Sequence, residues 1–393
     1  MGSANHIRLV AGIYFILILS QAAAQQEQWL QYHSEREARL IGGGIGMHGL
    51  EVSSEKPSGV RLPQFKGKNQ FFAKWSTPMV KSGYLWVLLD RERKYGVHDT
   101  LYIDSNGNGH LNDEESVKSY RLDQYSAYFG PVKVIFEVED GLVSYHLNFR
   151  FYNRRDYTRL YVSSGGWYEG DIIVGDSKKH CVLFDYNTNG TFNDKSLQSV
   201  SCDRIRIGKM NSQDTRYVGN YIEIDGTLYR PEIARDGAFI KLTKAKDVKF
   251  GTVRLPETIT EFSAGGENGL FTFNPEKGIG TLPVGKYRVN FWAAERKDEK
   301  DTSWRIKGSN FGDKNIYFDI TEDKETQLSP GEPINAALSV NQRQSLFSFS
   351  QELRGRNGER IELTRNGTRP RAPKLQIKSE DGSYERTFSF EYG

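Results

Sequence analysis

The chain has 393 residues, enough for two or three domains with cores of their own. Its 53 basic and 50 acidic side chains are interspersed and leave a formal charge of +3, a balance that argues against a nucleic-acid binder. Aromatics at 12% and 39 glycines, with few stretches of helical period, favour strands joined by tight turns.

The chain opens on a processing signal. Arg8 precedes an apolar run over residues 9–19 that is too short to span a bilayer, and Ala22, Ala23 and Ala24 give a small-residue cleavage pattern. Residues 1–24 are therefore expected to be a signal peptide, with an uncleaved N-terminal anchor as the alternative. No later stretch is apolar enough to be a membrane helix, so a secreted or periplasmic product follows. Residues 25–60 are expected to be a helix and linker: QEQWLQYHSEREARL over 26–40 has helix-compatible composition, and Gly42, Gly43 and Gly44 end it. The GGGIG there lacks the spacing of a dinucleotide-binding turn.

Residues 61–250 read as short β runs punctuated by turns. YLWVLL, TLYI, VKVIFEV, SYHLNFRF and VLF favour strands, and Asp140-Gly141, Asp225-Gly226 and Asp236-Gly237 lie between such runs where hairpin turns need positive φ. An antiparallel β domain is expected.

Within it, the stretch DSNGNGHLNDEE over residues 104–115 follows the plan by which a short loop surrounds calcium with oxygen. That plan draws ligands from positions 1, 3, 5, 7, 9 and 12, with glycine at 6 for a sharp turn. Those positions hold Asp104, Asn106, Asn108, His110 through its backbone carbonyl, Asn112 and Glu115, with Gly109 at the turn. Leu111, next after His110, is placed to enter a core. TLYI ahead of Asp104 is a strand by propensity, which suits a structural ion at a strand exit better than a sensor needing a helix on each side. With Asp104 and Glu115 the only formal anions, affinity is expected near the weak extracellular range of about 10⁻⁴ to 10⁻³ M.

A second copy, DYNTNGTFND, starts at Asp185 and repeats the pattern with Asp185, Asn187, Asn189, Thr191 and Asp194 as the candidate ligands. The place of Glu115 is taken there by Ser196, so this copy is the weaker candidate; its alternative is an Asx-turn hairpin serving backbone geometry. Cys181 and Cys202 flank it. In an exported chain they predict a disulfide closing a loop of about 22 residues, worth roughly 3 kcal/mol, with two buried free thiols as the alternative. Such a bridge would hold the ends of the second loop where the first relies on metal.

Both loops resemble the EF-hand calcium loop and its dockerin-like relatives in exported bacterial proteins. More broadly, W-V-L-L-D-R-x-R ahead of H-D-T-L-Y-I-D-S-N-G-N-G, then L-F-D-Y-N-T-N-G-T-F-N-D, L-P-V-G-K-Y and a terminal F-E-Y-G, resembles an uncharacterised group of exported bacterial β-rich proteins. The resemblance implies calcium binding and export, and no reaction.

Residues 251–393 read as one or two immunoglobulin-like β-sandwich modules, with a joint near 330 at Ser329-Pro330-Gly331-Glu332-Pro333. The fold class is thus mainly β. No H-E-x-x-H, G-x-S-x-G or phosphate loop is present. His33, His48, His98, His146 and His180 show no metal-ligand spacing. An exported calcium-binding structural or interaction module is the leading reading. The alternative is a carbohydrate-active hydrolase whose carboxylates the sequence does not single out, pairs such as Glu137 with Glu139 or Glu114 with Glu115 carrying almost no weight among 50 acidic residues, or a carbohydrate-binding protein of the cell envelope with Trp86, Trp167, Tyr168, Trp292 and Trp304 as sugar platforms. Expected partners are a cell-envelope or extracellular glycan or protein, not nucleic acid.

Overall fold

The computed structural model describes residues 26–36, 38, 45–138, 141–312 and 315–392. The signal peptide expected over residues 1–24, the glycines at 42–44 and the Asp140 half of one predicted hairpin turn lie outside these residues. Strand makes up 54% and helix 1% of the chain, so it is mainly β, built from several antiparallel sheets. None of the helices among the described residues is long and apolar enough to cross a membrane. The chain divides into two compact units at Lys246 and Asp247.

The first unit contains four antiparallel sheets. One runs Phe71–Ser76, Tyr84–Asp90, Thr100–Ile103, Val117–Lys118 in spatial order; another runs His48–Leu50, Tyr157–Ser164, Gly141–Arg154, Ser126–Val138, Arg121–Leu122. A third runs Arg216–Tyr217, Arg204–Gly208, Ser177–Phe184, Gly166–Val174, Gln31–Ser34, and the fourth Gln28–Trp29, Phe239–Lys244, Thr227–Ile233, Ile222–Ile224.

Period-two alternation explains the packing. On Gly141–Arg154, the side chains of Tyr145, Leu147, Phe149 and Phe151 enter the core, whereas His146, Arg150 and Tyr152 point the other way. Trp75 and Tyr145 stack at the centre, 5.8 Å between ring centroids and 5° from parallel. Burial of each such ring contributes about 1.5 to 3 kcal/mol.

The helix expected near the start is not formed: Gln28–Trp29 and Gln31–Ser34 are edge strands, pairing with Phe239–Lys244 and Gly166–Val174 respectively. The reason is tertiary. Leu30, between them, is buried in the core, and its N–H donates to the Ala238 carbonyl at 2.8 Å. Open sheet edges supply hydrogen bonds that outweigh a modest helix propensity.

In the second unit, Phe250–Arg254 pairs antiparallel with Ile279–Pro283 and parallel with Glu325–Gln327. A further sheet of eight strands includes the long strand Gly285–Lys297, and Lys374–Lys378 with Glu385–Ser389 forms a separate hairpin. An eight-stranded sheet departs from the four-plus-three division of an immunoglobulin constant domain. The L-P-V-G-K-Y segment is closed by Tyr287, whose hydroxyl donates to the Pro283 carbonyl at 2.7 Å.

Candidate functional site

The two D-x-N-x-N-G segments adopt the same loop. Each leaves a strand of the first unit, Thr100–Ile103 or Ser177–Phe184. The first-position carboxylate accepts the glycine N–H through Oδ2, Asp104 from Gly109 at 2.9 Å and Asp185 from Gly190 at 2.7 Å. The amide oxygen of the third residue accepts the N–H of the fifth, at 3.0 Å for Asn106 and 3.2 Å for Asn187. That of the fifth accepts the N–H of the seventh, at 2.8 Å in both Asn108 and Asn189. The backbone turns left-handed at Gly107 and Gly109 in one loop, and at Thr188 and Gly190 in the other. The eighth residue of each enters a core, Leu111 or Phe192, and its N–H donates to a distant carbonyl, Arg61 or Arg235.

Two features go beyond the sequence reading, which named Asp194 as a ligand but gave no such part to Asp113, Glu114 or Asp203. The tenth residue is the point of convergence: Oδ2 of Asp113 accepts both Asn106 and Asn108 amides, and Oδ2 of Asp194 accepts both Asn187 and Asn189 amides together with the Thr191 hydroxyl. A second carboxylate then caps the second-position N–H. In the first loop Glu114 takes the Ser105 N–H at 2.8 Å and its hydroxyl at 2.6 Å; in the second Asp203 takes the Tyr186 N–H at 3.1 Å and the Asp194 N–H at 2.8 Å. Asp113 was legible as the counterpart of Asp194. Asp203 was not, because it arrives from beyond the loop.

Glu115, expected to clamp the ion with both oxygens, stands exposed, as does Asn112. The chain after Asp113 does not continue into a helix, so the twelfth residue is not carried back to the loop mouth; Glu114 faces it instead.

The loops differ in what satisfies the first aspartate. Asp104 is 1% exposed, and its Oδ1 has no hydrogen bond of normal geometry, although the Gly107 and Asn108 N–H groups lie close enough to act on the carboxylate as Thr188 and Asn189 do at Asp185. Burial raises its pKa above the usual carboxylate range, and Asp113 adds to the rise. Burial likewise raises Glu114, with Asp104 contributing repulsion. In the second loop, Asp185 is fully enclosed and takes the Thr188 and Asn189 N–H groups on Oδ1, and the Gly190 N–H and Tyr145 hydroxyl on Oδ2. Burial nevertheless pushes Asp185 up to about 7, and lifts Asp203 well above its ordinary value, with Asp185 and Asp194 adding repulsion.

Cys181 and Cys202 are both buried and unbridged in this structure, the arrangement given as the alternative to a disulfide. Cys181 faces the main core from Ser177–Phe184, whereas Cys202 Sγ donates to the Ser196 carbonyl at 2.9 Å on the far side of the second loop. The loop ends are held instead by Asp203 and by Trp75, whose indole N–H donates to the Thr188 carbonyl at 2.7 Å.

Among the described residues no three His, Cys, Asp or Glu side chains form a ready-made metal cage. The loop plan depends less on such groups, since amide and backbone oxygens supply much of the calcium shell. Of the aromatics named as sugar platforms, Trp167, Tyr168 and Trp292 are buried in cores, and Trp86 and Trp304 are half-buried. Comparison with protein-family models, with curated proteins and with solved structures finds no match.

Proposed function

We propose that the protein is an exported calcium-binding β protein that serves as a structural or interaction module, the ion fixing the first loop where it leaves Thr100–Ile103. The observation carrying this reading is the buried Oδ1 of Asp104, which lacks a partner in a loop otherwise closed by internal hydrogen bonds. A buried carboxylate oxygen without a donor costs several kcal/mol unless a cation reaches it. The residues that fit the ion are Asp104, Asn106, Asn108 and the His110 carbonyl from the original set, with Asp113 and Glu114 in place of Asn112 and Glu115. Calcium there supplies charge neutralisation and a rigid strand exit. Asn106 and Asn108 are exposed, so the ion has access from solvent.

The second loop fits calcium less well, because Asp185 already has donors on both oxygens. Isothermal titration of the calcium-free protein is expected to show binding in the range of about 10⁻⁴ to 10⁻³ M. That binding is lost in Asp104→Asn and kept in Glu115→Gln. Absence of heat at millimolar calcium, or full retention in Asp104→Asn, would overturn the reading.

A further inference from the structure

The outward face of the five-stranded sheet carrying Ser126–Val138, Gly141–Arg154 and Tyr157–Ser164 is a checkerboard of arginine and tyrosine. The register puts Arg121 opposite Tyr128, Tyr128 opposite Arg150, Arg150 opposite Tyr161, and Tyr161 opposite Gly49. One pleat along, Ser126, Tyr152 and Arg159 share a row, and beyond it Arg154 stands opposite Tyr157. Neighbouring strands lie about 4.8 Å apart, so the first row alternates cation and ring over roughly 14 Å.

The arrangement is built rather than incidental. Arg121 lies 3.7 Å above the Tyr128 ring centre, with Arg150 at 5.5 Å, and Arg150 Nε and Nη2 both donate to the Ser126 hydroxyl at 3.3 Å. Arg154 lies 5.7 Å from the Tyr125 ring and Arg36 4.8 Å from that of Tyr120. Arg159 lies across Gly49, where a Cβ would come within 2.7 Å of its Nε. Tyr157 and Tyr161 join hydroxyls at 2.9 Å. Stacking of this kind fixes guanidinium planes, and although Arg150 spends Nε and Nη2 on Ser126, its Nη1 and the outer N–H groups of Arg154 and Arg159 remain for a ligand.

Among the described residues Arg36, Arg121, Arg150, Arg154 and Arg159 form no ion pair; Arg91, Arg204 and Arg235 elsewhere have none either but spend N–H groups on backbone carbonyls, whereas the arginines of this face lie against tyrosine rings or across Gly49. Guanidinium groups with no carboxylate in contact are suited to carboxylates on a ligand, with Asp123 the acidic group acting on Arg121 from nearby. The rings of Tyr152 and Tyr157 offer amphipathic surfaces, and the hydroxyls of Tyr157 and Tyr161 polar contacts, at the same level.

We propose that this face binds an acidic polysaccharide, the arginines taking uronate carboxylates and the tyrosines packing on the sugar rings. The inference rests on the interaction-module reading above, but not on calcium. A single-stranded nucleic acid is the less suitable anion. Tyr128 is covered by Arg121 on one side, so its ring does not offer an open face for a base to stack on.

The test uses the mature full-length protein and fluorescently labelled polygalacturonate. Wild type is compared with Arg121→Gln/Arg150→Gln, and with Arg254→Gln/Arg296→Gln, which removes the same charge from the second unit. The first double variant is expected to bind at least tenfold more weakly, and Tyr157→Ala to weaken binding as well. The control variant and the circular-dichroism spectra stay unchanged, and fully methyl-esterified polygalacturonate binds poorly. Equal loss in both double variants, tighter binding of a single-stranded oligonucleotide at the same salt, or no binding by wild type would each overturn the proposal. Repeating the measurement with EDTA separates the two readings: glycan binding that persists without calcium leaves this proposal standing even where calorimetry shows no ion site.

Discussion

Substituting Asp104 by Asn removes one negative charge from a buried loop while keeping its shape and an acceptor for the Gly109 N–H. In wild type the unpartnered Oδ1 leaves a charge that folding must desolvate without return until a cation arrives. Calcium at 10 mM, against a dissociation constant of about 10⁻⁴ to 10⁻³ M, stabilises the folded state by RT ln(1 + [L]/Kd), about 1.4 to 2.7 kcal/mol. For a cooperative unit of this size that raises the melting temperature by about 3 to 10 °C. Asp104→Asn is expected to be at least as stable as wild type in EDTA, since it removes the uncompensated charge, and to lose the calcium shift. Magnesium, which resists dehydration and demands octahedral geometry, produces a smaller shift. Differential scanning calorimetry reads all of this, and the first unit's transition is the one that moves. A calcium shift of equal size in Asp104→Asn, or no shift in wild type at 10 mM, refutes the reasoning.

Other consequences concern the second loop and the core. Asp185→Ala leaves the Thr188, Asn189 and Gly190 N–H groups and the Tyr145 hydroxyl without their acceptor, at about 1 to 3 kcal/mol each before relaxation, so a loss of at least about 3 kcal/mol is expected in urea unfolding, with or without calcium. A cost below about 1 kcal/mol, or one that calcium abolishes, contradicts that assignment. His98 is buried, its Nε2 2.6 Å from the Asn69 carbonyl, and burial lowers its pKa below the ordinary 6.5. Between the two values the unfolded chain holds more protons, so stability is full above about pH 6.5 and falls as the pH drops through the folded value; His98→Gln removes that limb of the stability curve. If the acid limb survives the substitution, His98 is not its source. Burial pushes the Cys181 thiol up to about 12. Neither cysteine should therefore react with Ellman's reagent in the native state, both should react in denaturant without reductant, and a bridged peptide in a non-reducing digest would show the opposite pairing.

What the sequence disclosed about these loops was the part written locally. Asp104, Asn106, Asn108, Gly109 and Leu111, and their echoes from Asp185 to Phe192, act within a few residues of each other, so spacing alone was sufficient to place them. The strand before each loop was equally legible, because TLYI and VLF are apolar and β-prone. Glu115 was placed as a ligand from its spacing in the twelve-residue plan; in the structure it is exposed, and Glu114 is the side chain returned to Ser105. Asp203 and Trp75 were invisible for a different reason: Asp203 arrives with the strand paired to Ser177–Phe184, and Trp75 reaches Thr188 by its indole from another sheet, neither of which a local pattern encodes. The same cause undid the helix at 26–40, where Leu30 and two open sheet edges outweighed a run of good helix formers. The arginine-tyrosine face required knowledge of register, since Arg121, Tyr128, Arg150 and Tyr161 stand on four strands.

The two loops then represent one backbone stabilised in two ways. The first keeps glycine at its left-handed fourth position, Gly107, and leaves Asn106 and Asn108 at the surface, so its spare oxygen is open to an ion. The second places a β-branched residue, Thr188, at φ 58°, a conformation that costs such a residue energy and persists only where the surroundings enforce it. They do so here. Ser164 donates its N–H to the Thr188 hydroxyl, Trp75 donates to the carbonyl, and Tyr145, stacked on Trp75, donates to Asp185. The strain is thus held by the same aromatic pair that forms the centre of the core, which ties the second loop to folding of the whole unit. Because Asp185 already has donors on both oxygens, a cation would have to displace hydrogen bonds to enter. At Asp104 only the weaker approach of the Gly107 and Asn108 N–H groups stands in the way, and that difference is the physical reason to expect calcium at the first loop and not at its more buried copy.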